Sequence, residues 1–299
     1  PPPPGSSPPP PPHSGDAVPP RPPPAGARRP RAKGGGGAGG APPPPDALSF
    51  VSPHPVITWQ DEGIVLTVRP LGERDAILSA MTFAHGRHAG LVRGGAGKRQ
   101  GALLQPGNRL QLAWSARLEQ HLGAYTIEPV RLHAARIMGD SLALLGLASA
   151  VELVEVGVGE REPHGLLYAA LLKLVEALGP DRAWLETYVR FELVLLAELG
   201  FALDLEKCAV TGVTEGLAYV SPRTGRAVSL EAAGDFAPRL LPLPGFLTGQ
   251  GEADDQAIAQ GLRLAGHFLT RHILDPVDRA MPEARERLLA RVAAESEGD

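Results

Sequence analysis

The sequence predicts an α+β protein: a small closed barrel of five strands, followed by a helical domain that carries a degenerate zinc-knuckle-like segment. Three observations carry this expectation. Between Trp59 and Leu132 apolar residues recur with period two in short runs broken by glycines. After Ala135 the period lengthens to that of amphipathic helices. Cys208, the single cysteine of 299 residues, stands in a turn-rich stretch where a zinc knuckle would place its first ligand.

Residues 1–55 are a proline, glycine and alanine tract with almost no large apolar side chain before Leu48. Such a segment cannot offset the entropy of ordering its backbone, so a disordered tail is expected, with polyproline runs at Pro8 to Pro12 and Pro22 to Pro24. The first methionine is Met81, and the folded pattern begins near Val56, so this reading expects an over-extended gene start.

Residues 56–134 form the barrel in this reading. Ile64, Leu66 and Val68 share one face of the first strand, with Thr67 and Arg69 on the other. Ile77, Ser79 and Met81 continue the alternation after Gly72. A third strand fits His88 to Arg93, a fourth Asn108 to Ser115 with Leu110, Leu112 and Trp114 inward, and a fifth Ala124 to Leu132 around Tyr125 and Ile127. Turns fall at Gly72, Gly86 and Gly107, and five strands in so short a span suit closure better than a sandwich.

Residues 135–299 form the helical domain. Leu142 to Val156 marks one helix, and Leu166 to Leu178 a second that ends at Gly179-Pro180. A third opens on Asp181 as a cap and runs to Gly200, with Glu192 and Glu198 assigned to its polar flank. A mixed segment follows from Cys208 to about Leu247. Ala257 to Leu274 forms a fourth helix, and Glu283 to Ala294 a fifth.

Charge is unevenly shared. The chain carries 29 basic and 33 acidic residues, but residues 1–55 hold +3, residues 56–134 hold +3 and residues 135–299 hold -10. An anionic polymer would therefore be gripped by the front of the molecule. The candidate grip lies between the third and fourth strands, where Arg93, Lys98 and Arg99 alternate with Gly94, Gly95, Ala96, Gly97 and Gly101. Flexible backbone there can approach phosphates while the side chains supply charge. Arg69, Arg74 and Arg87 lie on neighbouring strands or turns. A solvated surface loop is the competing reading. Few aromatics accompany these cations, so backbone contacts with weak sequence preference are expected.

Other chemistries fail on their residues. Val92 stands where the first glycine of a nucleotide-binding loop belongs, and Arg99 replaces its magnesium-holding hydroxyl. Thr211 occupies the second position of a C-x-x-C pair, and His267 and His272 are five apart, which does not place two ligands on one helical face. No metal or other cofactor is expected, and Cys208 reads as a buried thiol. Gly-x-Ser-x-Gly is absent, and His85, His88, His121 and His133 have no matching acidic pair, so no catalytic residue is assigned. No stretch is apolar enough for a membrane span. A single thiol and no apolar leader point to a soluble intracellular protein.

Three blocks give the chain a family resemblance: Trp59-Gln60-Asp61-Glu62-Gly63-Ile64-Val65-Leu66, Gly86-Arg87 through Leu103-Leu104-Gln105-Pro106-Gly107, and Arg190-Phe191-Glu192-Leu193 to Cys208. Leu240-Leu241-Pro242-Leu243-Pro244 and Gly266-His267-Phe268-Leu269 add to them. In these the chain resembles the RecO family of bacterial DNA repair proteins, over about Trp59 to Leu289. The resemblance implies an N-terminal OB-fold and a helical C-terminal domain. It implies a cytoplasmic, nucleoid-associated mediator of the RecF pathway that binds single- and double-stranded DNA and anneals complementary strands. Its implied partners are RecR and the acidic C-terminal tail of the single-strand binding protein SSB, with RecA loading as the outcome. Some members carry a four-cysteine zinc module where this chain keeps only Cys208, so zinc is not expected here. By position, Arg87, Arg93, Lys98 and Arg99 become the expected DNA contacts, and Arg74 of the neighbouring turn is counted with them. Arg190 with Phe191 becomes the expected SSB contact, against the competing reading that Arg190 pairs with Glu186. The alternative function is a barrel adaptor that binds protein and not DNA.

Overall fold

The computed structural model describes residues 56–296, and the expectations for residues 1–55 lie outside the described residues. Five strands, β1 (Ile57–Leu71), β2 (Asp75–Thr82), β3 (Gly86–Val92), β4 (Arg109–Ala116) and β5 (Ala124–Arg131), close into a barrel in the order β1-β2-β3-β5-β4. Neighbours are antiparallel except β3 and β5, which meet in parallel at Leu91 with Ala124 and Val92 with Tyr125. Closure depends on the 15-residue length of β1. Its first half pairs with β4, from Ile57 with Ala116 to Ile64 with Arg109, and its second half pairs with β2, ending at Leu71 with Asp75. This is the expected OB-fold arrangement. Gly72 and Gly86 turn the first two hairpins with φ of 65° and 64°, a region open to glycine without steric cost.

One face assignment is corrected. Ile64 and Leu66 do not share a face with Val68, because β1 shifts register between Val65 and Thr67. A bulge of this kind re-aims the side chains beyond it. Val65 and Val68 therefore face the barrel interior with Leu78, Leu110, Leu112 and Trp114, whereas Ile64 and Leu66 point outward into the helices. The strand buries both faces, which is why its apolar run defeats a simple alternation.

A short helix α1 (Lys98–Leu103) follows β3 in place of the expected open loop. After β5 come α2 (Ala134–Ile137), α3 (Ser141–Gly157), α4 (Gly165–Ala177) and α5 (Trp184–Glu198). Asp140 caps α3, its carboxylate accepting from the Leu142 and Ala143 amides at 3.0 Å each. Asp181 does not cap the third long helix as expected: α5 starts at Trp184 with Ala183 at its N-cap and no side-chain capping bond, and the Asp181 carboxylate instead accepts from the Ala183 amide at 3.0 Å in the turn before it. Three strands, β6 (Leu217–Val220), β7 (Ala227–Ser229) and β8 (Leu241–Pro242), make a small sheet in the order β7-β6-β8, with α6 (Leu230–Ala233) beside it. Here Cys208 is buried with Val228 and Ala233, and its sulfur accepts from the Ser229 amide at 3.3 Å. The segment is thus closed by a small apolar core around its thiol.

Helix α7 (Asp255–Leu269) does not run unbroken to Leu274. Its end widens into a π-helical turn at Thr270–Leu274 before α8 (Glu283–Ser296) closes the fold. Barrel and helices share a continuous core, since Ile64, Leu66 and Met81 pack with Leu147, Val151 and Val154 of α3. Each such fully buried aliphatic side chain contributes roughly 1.5–3 kcal/mol.

Glu192 is also corrected. It is fully buried, and Arg285, 2% exposed, meets it through Nε at 2.5 Å and Nη2 at 2.9 Å. The same Nη2 donates to the Leu262 carbonyl at 2.7 Å, and the guanidinium lies 6.0 Å from the Tyr188 ring centroid. One ion pair therefore ties α5, α7 and α8 together.

Candidate nucleic-acid interface

The glycine-rich stretch after β3 is ordered by backbone bonds to the β1–β2 turn. The Ala96 amide donates to the Arg74 carbonyl at 3.0 Å, and the Gly94 amide to the Asp75 carboxylate at 2.8 Å. Gly94 takes φ of 69°, and a Cβ on Gly95 would stand 2.8 Å from that of Ala76. Glycine is needed here for a close approach. These contacts bring Arg74, Arg93, Lys98 and Arg99 to one end of the barrel, all four exposed. Among the described residues none of them enters a salt bridge. Unpaired cations clustered on an ordered backbone can neutralise phosphates without first breaking an internal bond.

Arg93 extends the cluster sideways. It lines a cleft of about 390 Å³ with Arg117 and His121 of the β4–β5 loop, and a second of about 370 Å³ with Gln100, Thr126 and Ile127. Arg117 was not singled out from sequence; its signal is only a cation just beyond a strand end, which is too common to stand alone.

Arg87 belongs elsewhere. Its side chain is 15% exposed, Nε donates to the Val158 carbonyl at 2.8 Å, and Nη1 lies 3.3 Å from Glu155 and 3.7 Å from Glu160. It points outward from β3 because His88 points inward, and outward here means toward α3. Arg87 is therefore part of the seam between barrel and helices, and its expected role as a DNA contact is corrected on that geometry. Arg69 is exposed and lines a mostly apolar groove between β1 and α3.

The expected pair Arg190 and Phe191 does not form one surface. Phe191 is 1% exposed in the helical core, since consecutive helical residues point about 100° apart. Arg190 is 43% exposed, donates to Glu186 at 2.8 Å and to the Phe246 carbonyl at 2.7 Å, and lies 5.7 Å from the Phe246 ring centroid. The competing pairing with Glu186 is the one formed.

Sequence reasoning missed an aromatic cluster at the barrel mouth between the β2–β3 and β4–β5 turns. Trp59 stacks on His85 with centroids 4.0 Å apart and planes 10° apart, and lies 5.7 Å and 20° from Trp114, its cross-strand partner. His88 sits beneath them and bonds the Tyr125 hydroxyl at 2.8 Å. Burial, then the positive charge of Arg161, holds the His88 pKa down at about 4, so this core histidine is neutral at pH 7. Burial likewise raises the Tyr125 pKa. Only the pairing register of two distant tryptophans could have revealed the cluster.

Among the described residues no three His, Cys, Asp or Glu side chains gather in a way that could hold a metal ion, and no helix is long and apolar enough to cross a membrane.

Known proteins match both the barrel and most of the helical domain. A family model described as the recombination protein O N terminal matches residues 56–133, the barrel, and one described as the recombination protein O C terminal matches residues 138–279. The DNA repair protein RecO of Cereibacter sphaeroides (strain KD131 / KCTC 12085) is 50% identical over 240 residues, which cover 80% of this chain and 99% of that protein. RecO of Dinoroseobacter shibae is 48% identical over 236 residues, 78% of this chain and 97% of its own. RecO of Chelativorans sp. (strain BNC1) is 48% identical over 239 residues, covering 78% and 95%. With both halves of the fold matched and half of the aligned residues identical, the chain belongs to the RecO family of DNA repair proteins.

Proposed function

We propose that the chain is a DNA repair and recombination mediator that binds single- and double-stranded DNA through Arg74, Arg93, Lys98 and Arg99. On this reading it anneals complementary strands and, with RecR, helps load RecA onto DNA coated by SSB, in the bacterial cytoplasm at the nucleoid. The observation that carries it is the convergence of four exposed cations on one ordered end of an OB-fold, in a family whose members are named for DNA repair.

Annealing needs no covalent step. Two strands approach against phosphate repulsion, and base pairing supplies the free energy once they meet. Cations on the barrel lower the repulsion, while the net charge of -10 on residues 135–299 turns DNA away from the helical side. Binding of the SSB tail falls to the helices in this reading. Arg190 keeps enough exposure to meet a terminal carboxylate, and the apolar complement comes from a neighbour other than Phe191.

The test is the affinity of the Lys98→Ala/Arg99→Ala protein for single strands as a function of salt. Losing two phosphate contacts should weaken binding and flatten the slope of log K against log salt by about 1.4, at ~0.7 per contact. An unchanged slope would remove the cluster from the interface. Absence of any binding by the wild-type protein at low salt would favour a protein adaptor instead.

A further inference from the structure

The basic cluster accounts for a grip on the backbone, but it leaves the aromatic mouth without a role. That mouth is a cleft of about 420 Å³ walled by Trp59, His85, His88, Trp114, Glu119 and Arg161. We propose that it is a subsite for one unstacked base of single-stranded DNA, an inference that rests on the DNA-binding reading above.

The geometry is that of an unfinished stack. Trp114 is buried, Trp59 is half-buried and nearly parallel to it, and His85 lies on Trp59 with 32% of its side chain exposed. His85 lines the cleft beside Trp59, so its exposed portion is within reach of an occupant there. A further flat ring added there would continue the series. Stacking of this kind is tolerant of base identity, because every base has a π-face.

The stack is held in place before any ligand arrives. His85 Nδ1 lies 3.3 Å from Asp61 Oδ2, and the same oxygen accepts from the Ala84 amide at 2.8 Å. Its ring therefore loses little freedom on binding. Across the cleft, Arg161 adopts φ of 65°, a strained conformation for a residue with a side chain. From there its guanidinium donates to the carbonyls of Glu119 and, at 2.8 Å, His121. Those bonds fix the β4–β5 loop as the cleft wall.

The same loop makes a nucleobase the fitting occupant rather than an aromatic side chain of a protein. His121 lines the neighbouring cleft together with Arg93 and Arg117, so a strand neutralised at Arg93 is carried past the loop toward the stack. A duplex keeps its bases stacked on one another and presents no free face. The subsite thus adds affinity for single strands only.

Three probes test this on the whole chain: a thymidine 12-mer, the abasic sugar-phosphate 12-mer and a 12-base-pair duplex. The wild-type protein should bind the thymidine strand about tenfold more tightly than the abasic one, and His85→Ala should abolish that preference while leaving abasic and duplex affinities and the salt slope unchanged. His85→Phe, which keeps a ring on Trp59, should restore the preference. Tryptophan fluorescence should be quenched by the thymidine strand and not by the abasic strand. Equal wild-type affinity for thymidine and abasic strands would overturn the subsite while leaving the basic cluster intact. So would a His85→Ala protein that keeps the preference, including one that loses only a protein complex. A wild-type protein that retains none of the three probes would overturn the subsite and the DNA-binding reading together.

Discussion

At the end of the barrel Arg74, Arg93, Lys98 and Arg99 stand exposed and without a carboxylate partner among the described residues, whereas in the helical half Arg285 is 2% exposed and clamped by Glu192. Arg182 pairs with Asp255 and Glu295, Arg190 with Glu186, and Arg226 with Asp204. The difference follows from what each arginine is bonded to. Strand pairing satisfies the backbone of the barrel, and although Arg87 and Arg109 are paired with carboxylates there, the four cations at its end are not. Helices must be fixed to one another by side chains, and there several arginines act as internal ties. A cation already bonded to its own protein has less to offer a phosphate, so the partners of each arginine, and not the half of the fold it sits in, separate fasteners such as Arg87, Arg109 and Arg285 from candidate contacts.

The largest way to break this comparison is to cut the internal tie. Arg285→Ala should destabilise the protein by about 3–5 kcal/mol in urea unfolding, because Glu192 is left buried and unpaired. Replacing both partners by leucine and methionine should recover most of that loss. If the single substitution cost no more than an exposed pair does, Arg285 would not be a fastener.

Acid sharpens the contrast from the barrel side. His88 is 3% exposed with a pKa lowered from 6.5 to about 4, so as pH falls the unfolded chain takes up the proton first. The contribution of His88 should be complete above pH 6.5, fall between pH 6.5 and 4 by about 3 kcal/mol, and be gone below that. His133, also buried, has its pKa lowered chiefly by burial and adds in the same direction. His88→Gln should flatten the decline measured by unfolding at pH 7 and pH 4.

A smaller effect is expected at Gly90. A Cβ there would lie 2.4 Å from Tyr125 Cδ2, so Gly90→Ala overpacks the barrel and should cost about 1–3 kcal/mol. The smallest belongs to the surface: Arg190→Ala, losing a 43% exposed pair with Glu186 together with its bond to the Phe246 carbonyl, should cost about 0.5–1.5 kcal/mol.

Much of the fold was legible because local rules decided it. Leu110, Leu112 and Trp114 alternate on a strand with one inward face, and Gly72, Gly86 and Gly107 sit where the chain turns with positive φ. Reading failed where a second layer intervenes. The β1 bulge and the packing of Ile64 and Leu66 on α3 give one strand two buried faces, and period two cannot announce that. Glu192 looked like a surface carboxylate because its partner lies 93 residues away. Arg87 shares the barrel with the other cations on a neighbouring strand, but strand alternation turns it toward Glu155 and Glu160. Arg74 joins Arg93, Lys98 and Arg99 through the β2–β3 pairing at Ala76 and Val92 and the bonds of Ala96 to Arg74 and Gly94 to Asp75, tertiary contacts consistent with the grouping but not dictated by it.

The most direct measurement is a salt titration of single-strand binding for three proteins: wild type, Arg93→Ala/Lys98→Ala/Arg99→Ala, and Arg190→Ala. If free barrel cations are the contacts, the triple variant should lose about two units of the wild-type slope, at ~0.7 per phosphate, while Arg190→Ala keeps it whole. Equal slopes for all three proteins, or a loss confined to Arg190→Ala, would contradict the account.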